Sequence, residues 1–185
     1  MENHIRIDAL LPPEMAQRAE NIGAQKARMN AATMFALALL AGAFISLGAI
    51  FATTIAAGTT GVLPFGVAKL LTGLVFCLGL ILVVVGGAEL FTGNNLIVMA
   101  WASGKVSTRA LLRNWVIVYA GNFVGSLGTV LLIFLSKQYT FGSGAVGQAA
   151  LTIAASKVEY GFVQAVALGI LCNGLVCLAV WLTYS

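Results

Sequence analysis

An apolar stretch long enough to cross a bilayer is interrupted by glycines, a carboxylate and amides. The interruption is Gly86-Gly87-Ala88-Glu89-Leu90-Phe91-Thr92-Gly93-Asn94-Asn95. Unwound backbone at membrane depth occurs only where protein buries it or where it lines an aqueous cavity, because unsatisfied amides in hydrocarbon are costly. A glycine kink used only for packing is an alternative, but it gives Glu89 and the two asparagines no polar partner. The interruption therefore favours two half-helices that meet at an unwound centre and line a pathway through the membrane.

The composition indicates an all-α integral membrane protein. Of 185 residues, 60% are hydrophobic and 9% are charged, which is too apolar for a soluble domain of this size. Spanning a bilayer takes roughly 20 apolar residues per helix. Four segments are long enough, at about 33–57, 67–90, 111–136 and 160–184, and the second continues through the break to residue 102. We expect a transmembrane domain at 33–185, preceded by a cytoplasmic N-terminal helix region at 1–32.

The basic residues predict the orientation. Seven of the ten lie before the first span or between the second and third, namely Arg6, Arg18, Lys26, Arg28, Lys105, Arg109 and Arg113. The positive-inside rule then places both termini in the cytoplasm. The net charge of +4 thus reports topology, and we expect no nucleic-acid partner.

Residues 10–29 are predicted to form a short helix that begins at Pro12 and Pro13, with Glu14 in the first turn, where the helix dipole favours a carboxylate. We expect a solvated juxtamembrane helix whose basic side chains face lipid headgroups or a neighbour, and a regulatory gate is the alternative.

Small and polar residues mark the last two spans. Gly121 and Gly125 have the Gly-x-x-x-Gly spacing, and together with Gly128 they predict close packing on another helix. Asn173 lies near mid-membrane, where its amide can join two helices or donate to an ion from a cavity wall.

The sequence contains no predicted catalytic or cofactor site. Cys77, Cys172 and Cys177 lack the spacing of a metal knuckle or redox pair and are interpreted as packing residues. The single histidine is His4, and no catalytic triad, paired carboxylates or phosphate-binding loop is visible. We therefore expect neither an enzyme nor a bound cofactor.

Several motifs together resemble the formate/nitrite transporter family, and its formate channel branch looks closest. They are Leu10-Leu11-Pro12 with Lys26, Leu63-Pro64-Phe65-Gly66-Val67-Ala68-Lys69-Leu70, Ala88-Glu89-Leu90-Phe91-Thr92-Gly93, Ala102-Ser103-Gly104-Lys105, Asn114-Trp115 to Gly121-Asn122, Ser156-Lys157-Val158 and the run from Asn173 to Trp181. The resemblance covers essentially the whole chain.

This resemblance implies an aquaporin-like, inverted-repeat helical bundle of six spans with a broken second helix. It also implies a homopentamer with one pore per protomer, in the inner (plasma) membrane of a prokaryote. The sequence ends at Ser185 with four of the six spans, and the family's second broken helix carries a pore histidine in a Gly-x-Glu-His-Ser-type motif. We expect from this that the 185 residues alone do not conduct formate selectively.

The resemblance also implies roles for single residues. The outer apolar constriction would consist of Phe76, Phe91 and Val176, and the inner one of Leu80 and Leu90. The anion would meet the hydroxyl of Thr92, the amide of Asn173 and the positive potential of Lys157 near the outer mouth. Glu159 and Tyr160 stand where the formate branch often has histidines.

These inferences predict a channel or transporter for small monovalent anions, with formate as the expected substrate and the lipid bilayer as the surroundings. Nitrite or hydrosulfide are alternatives within the family. Two further alternatives are a neutral-solute pore of the aquaporin type and a non-conducting fragment. The paired Asn-Pro-Ala breaks of aquaporins are missing from the sequence.

Overall fold

The structure, a computed structural model, describes residues 10–185 as helices joined by short loops. Arg6 and His4, used above for orientation and for chemistry, lie outside the described residues. The helices are α1 (Pro12–Arg28), α2 (Ala31–Thr59), α3 (Phe65–Val85), α4 (Phe91–Asn94), α5 (Ile97–Ala102), α6 (Thr108–Leu135), α7 (Ala145–Val158) and α8 (Phe162–Leu182), with a 3₁₀ turn at Gln138–Thr140.

Within residues 10–185, the helices α2, α3, α6 and α8 are long and apolar enough to span a membrane. The shortest of them have 21 residues, which corresponds to about 32 Å of helix and matches the hydrocarbon thickness of a bilayer. The predicted all-α membrane architecture with four spans is therefore confirmed.

Helix α2 packs between α6 and α3. Its contact with α6 depends on glycine, because a Cβ at Gly125 would collide with the carbonyl oxygen of Leu39, and one at Gly121 would lie 2.5 Å from Ala38 Cβ. The predicted glycine packing face is confirmed at these two positions. Gly128 takes no part, since a Cβ there would meet nothing within 4 Å.

The first half of the second span ends at Val85, before the predicted end near residue 90. Gly87 adopts a φ of +64°, and Ala88 N–H donates to the Val83 carbonyl (2.9 Å), so a glycine cap ends α3. The chain is extended at Leu90 and then forms the single helical turn of α4. The unwound segment is therefore 86–90, whereas Phe91–Asn94, also part of the predicted interruption, are helical.

One face of helix α1 is buried, which corrects the expectation of a solvated juxtamembrane helix. It buries Met15, Ala19, Gly23 and Ala27 and packs against α5. A Cβ at Gly23 would lie 3.1 Å from that of Ala100, so the two helices approach closely. This contact places the end of α1 next to the break.

Helix α7, which the sequence analysis did not predict, follows α6 and precedes α8 in the chain. Its 14 residues are too few to cross a bilayer. The helix packs against α2 and against the 3₁₀ turn, and Lys157 lies in its last turn.

Candidate functional site

The polar groups of the break are held by Lys26 from α1. Its Nζ donates to Glu89 Oε1 (2.8 Å) and to Asn94 Oδ1 (2.9 Å). Asn94 Nδ2 in turn donates to Glu89 Oε2 (2.7 Å). Glu89 is 3% exposed and Asn94 is 1% exposed, so a buried carboxylate has both a cation and an amide as partners. This arrangement meets the requirement that a buried charge be paired and hydrogen-bonded.

Helix α6 completes this polar network with two further side chains. Asn114, which is fully buried, accepts from Asn94 Nδ2 (3.0 Å) and donates to the Lys26 carbonyl (3.3 Å). Trp115 Nε1 donates to the carbonyl of Asn94 (3.2 Å). Among residues 10–185, every buried side-chain nitrogen and oxygen has a hydrogen-bond partner. The network therefore ties α1, the break and α6 into one unit.

Asn122, also on α6, binds the backbone of the break itself. Its Nδ2 donates to the Glu89 carbonyl, and its Oδ1 accepts from the Phe91 N–H, each at 2.8 Å. These two backbone groups flank Leu90. Asn122 thereby satisfies two polar groups that the unwound segment leaves without helical partners.

The side chains of Leu90 and Phe91 pack against two different buried clusters. Leu90 lies against a buried cluster formed by Ala41, Val83 and Ala88, and Phe91 against one formed by Met34, Ala38 and Val118. The ring of Phe91 also makes edge contacts with Tyr119 (5.4 Å between centroids) and Trp115 (6.3 Å). The two predicted constriction residues of the break therefore have well-defined packing.

Helices α4 and α8 bring two predicted anion-binding residues to the same interface. Cys177 Sγ donates to the carbonyl of Thr92 (3.3 Å), and Asn95 Nδ2 donates to Asn173 Oδ1 (3.0 Å). The half-buried Thr92 hydroxyl makes no hydrogen bond to any residue within 10–185. Val176 precedes Cys177 on α8 and is also half-buried.

The other predicted site residues lie apart from this interface. Phe76 and Leu80 are on α3, where Phe76 is 39% exposed and Leu80 is half-buried. Lys157 is exposed, and its Nζ lies 5.2 Å from the centroid of the Tyr160 ring. In the described part of the chain, no hydrogen bond or ion pair joins Lys157 to Thr92 or Asn173.

A cavity of about 190 Å³ lies between α1, the break and the end of α8. Its walls include Lys26, Glu89, Leu90, Asn94 and the buried Tyr184. At about 30 Å³ per water molecule, this volume admits a small solute with several waters. Both the polar network and Leu90 therefore line this cavity.

Sequence reasoning missed the structural roles of Lys26, Asn114 and Asn122. A signal was present for the two asparagines, because amides within a largely apolar span are costly unless they are hydrogen-bonded. Their partners could not be foreseen, since Lys26 and Glu89 are 63 residues apart in sequence.

The fold and this site define a polytopic membrane protein with a broken second span. Buried and half-buried polar side chains form hydrogen bonds with the backbone and side chains of the break. The sequence matches the model of the family described as "Formate/nitrite transporter" over residues 13–185. The chain belongs to this family.

Individual proteins of the family are similar over nearly the whole chain. The "Formate channel FocA" of Escherichia coli is 50% identical over 178 residues, which cover 96% of this chain and 62% of that protein. The "Formate channel FocA" of Haemophilus influenzae is 42% identical over 177 residues, with the same two coverages. The chain thus spans somewhat less than two thirds of the length of these relatives.

A solved structure agrees with the fold. The "Pentameric formate channel with formate bound" superposes with a TM-score of 0.78 at 47% sequence identity, over 84% of this chain and 60% of that one. The resemblance to the formate/nitrite transporters and the aquaporin-like fold class predicted from it are therefore confirmed.

Proposed function

We propose that this protein is a channel for small monovalent anions, with formate as its principal substrate, and that it acts without covalent chemistry or a cofactor. The observation that carries the proposal is the unpartnered hydroxyl of Thr92, a residue of the contact between α4 and α8 to which Asn173 also belongs. Support also comes from the two relatives that bear the name of formate channel.

The site combines apolar and polar groups in a way that suits a weak-acid anion. Leu90 and Phe91 would form the narrow apolar parts of the pore, together with Leu80 on the inner side and with Phe76 and Val176 on the outer side. A bare anion is costly in such a constriction, so it needs a donor nearby. Thr92 would donate its hydroxyl to the anion, and Asn173 its amide.

Lys157 would raise the local concentration of anions at the outer mouth. Its ammonium group is exposed and has no carboxylate partner in residues 10–185, so its field reaches the solvent. Lys26, in contrast, is neutralised by Glu89 and would stabilise the break.

We further propose a location in the prokaryotic plasma membrane, with both ends of this chain in the cytoplasm. Basic residues of two segments support this orientation. Lys105 pairs with Glu20 at 2.6 Å, and Arg113 donates to the Met29 carbonyl at 3.0 Å. These groups lie at one end of the bundle, as the positive-inside rule requires.

By analogy with the pentameric relative, five copies of the chain would assemble into a ring, with one pore in each protomer.

Substrate flux into proteoliposomes tests the proposal. The full chain encoded by the gene is reconstituted, and uptake of formate, nitrite, hydrosulfide and glycerol is compared in the same preparation. We expect saturable uptake of formate and weak uptake of glycerol. Equal permeation of glycerol would support a neutral-solute pore instead, and preferred uptake of nitrite or hydrosulfide would change the substrate.

A further inference from the structure

A single side chain holds the backbone on both sides of Leu90. Asn122 Nδ2 donates to the Glu89 carbonyl and also to the carbonyl of Ala38, each at 2.8 Å, while its Oδ1 accepts from Phe91 N–H at 2.8 Å. Both donors and one acceptor site of this amide are thus used, and all three bonds go to the main chain.

The backbone at Leu90 has the conformation of a β-strand, although no neighbouring strand pairs with it in residues 10–185. Leu90 has a φ of −102° and a ψ of 127°, which are close to the values of a parallel β-strand. In such a strand, the carbonyl before a residue and the N–H after it point to the same side, where one residue of a neighbouring parallel strand normally binds both through its own N–H and C=O. Here the side-chain amide of Asn122 takes the place of that residue, because it presents a donor and an acceptor in one plane.

The same face of α6 also holds the ring of Phe91. Trp115, Tyr119 and Asn122 follow one another at spacings of four and three residues, so they lie on one side of the helix. The two aromatic rings pack edge-on against Phe91, and Asn122 binds its N–H. Gly121, next to Asn122, allows α6 to approach α2 closely enough for the amide to reach Ala38.

We propose that Asn122 is a positioning residue that sets the width of the inner constriction at Leu90 and of the outer constriction at Phe91, and with it the discrimination between formate and larger monocarboxylates. The inference rests on the proposed channel function. Asn122 acts through the backbone of Glu89 and Phe91, so its loss is expected to change the selectivity of the pore more than the existence of the pore.

The variant Asn122→Leu tests this role, because it removes all three bonds at nearly constant size. The measurement is the ratio of acetate to formate permeability in proteoliposomes containing the full chain. The two anions differ by one methyl group, a difference that a well-fitted site discriminates by about tenfold or more. We expect the ratio to rise by about tenfold as Leu90 and Phe91 lose their fixed positions.

Ser126→Ala is the matched control. Ser126 lies one turn further along α6 and donates to the Gly42 carbonyl of α2 (3.3 Å), so it joins the same two helices without touching the break. We expect its ratio to equal that of the wild type. A second variant, Asn122→Ser, replaces the amide with a shorter side chain whose hydroxyl can still form a hydrogen bond, and it should give an intermediate ratio of permeabilities.

The outcomes separate this inference from the proposed function. No formate uptake by the wild type contradicts the channel function itself. An unchanged ratio in a conducting Asn122→Leu or Asn122→Ser variant overturns only the positioning role, and so does an equal change in Ser126→Ala. If both Asn122 variants fail to assemble while Ser126→Ala assembles, Asn122 acts on the fold and the inference is also overturned.

Discussion

Lys26 Nζ lies 2.8 Å from Glu89 Oε1, and the side chain of Glu89 is only 4% exposed. A helix that precedes the first span thus supplies the cation for a carboxylate in the middle of the broken second span. Removing one partner of a buried pair leaves an uncompensated charge, whereas removing both is often nearly neutral.

We therefore predict that Lys26→Met lowers stability by about 3 kcal/mol. The double variant Lys26→Met with Glu89→Gln should recover most of this loss, because the remaining amide is uncharged and can still accept from Asn94. Thermal unfolding of the purified oligomer in detergent measures both effects. A double variant as unstable as Lys26→Met alone would show that Lys26 does not act through the charge of Glu89.

A second prediction concerns the packing of α6 on α2. Gly125→Ala should destabilise the bundle by about 1–3 kcal/mol, because its new Cβ would collide with the Leu39 carbonyl. Gly128→Ala, three residues further along the same helix, meets nothing within 4 Å and serves as the control. Unfolding temperatures of the two variants are compared. Equal effects would contradict the close approach of the helices at Gly125.

The outer end of the proposed pore gives a third prediction. Lys157→Ala should slow formate entry more at low ionic strength than at high, because the field of an exposed charge is screened by salt. Lys69→Ala removes the same charge from another lysine that lies over an aromatic ring, Phe65. Initial uptake rates over a salt series test this. A loss that is independent of salt, or equal in Lys69→Ala, would argue against the proposed role of Lys157.

The contact between α1 and the α5–α6 loop should depend on pH. The hydrogen bond from Lys105 holds the pKa of Glu20 below its ordinary value of 4.5, although partial burial opposes this shift. The carboxylate form is thus favoured in the folded protein, and its stabilising effect is complete above the ordinary pKa and lost as the pH falls through the lowered one.

Hydrogen exchange of α1, corrected for the intrinsic rate at each pH, should therefore be constant from pH about 6 to about 5 and increase below about 4.5. In Glu20→Gln the acid-induced increase should be absent. An increase of the same size in this variant would assign the effect to another group.

The sequence predicted the features that depend on local pattern. The four spans follow from the length of the apolar runs, and the glycine contacts at Gly121 and Gly125 follow from their spacing. The break was also predicted, because Glu89 and two asparagines interrupt an apolar stretch. Local pattern carries no information on which distant side chain meets each polar group, so Lys26 and Asn122 were not recognised as its partners.

Two other differences have similar physical causes. Helix α1 has an ordinary polar composition, and only its contact with α5 shows that its small residues are buried. Helix α7 is too short and too weakly patterned to be distinguished from a loop before its packing against α2 is known.

The roles of single pore residues remain predictions, and Thr92 offers the sharpest test among them. Threonines inside the helices, such as the half-buried Thr53, donate their hydroxyl to the carbonyl four residues earlier, whereas the Thr92 hydroxyl has no such partner in residues 10–185. Valine has nearly the shape of threonine without the hydroxyl. Thr92→Val and Thr53→Val therefore differ in whether the lost hydroxyl is available to an anion.

Formate uptake by proteoliposomes with Thr92→Val, compared with Thr53→Val and the wild type at equal protein content, tests the central claim most directly. We expect Thr92→Val to assemble normally and to lose about tenfold in formate permeability, as a lost hydrogen bond of about 1.4 kcal/mol predicts. Thr53→Val should conduct like the wild type. Wild-type formate uptake by Thr92→Val would contradict the claim that its hydroxyl binds the permeating anion.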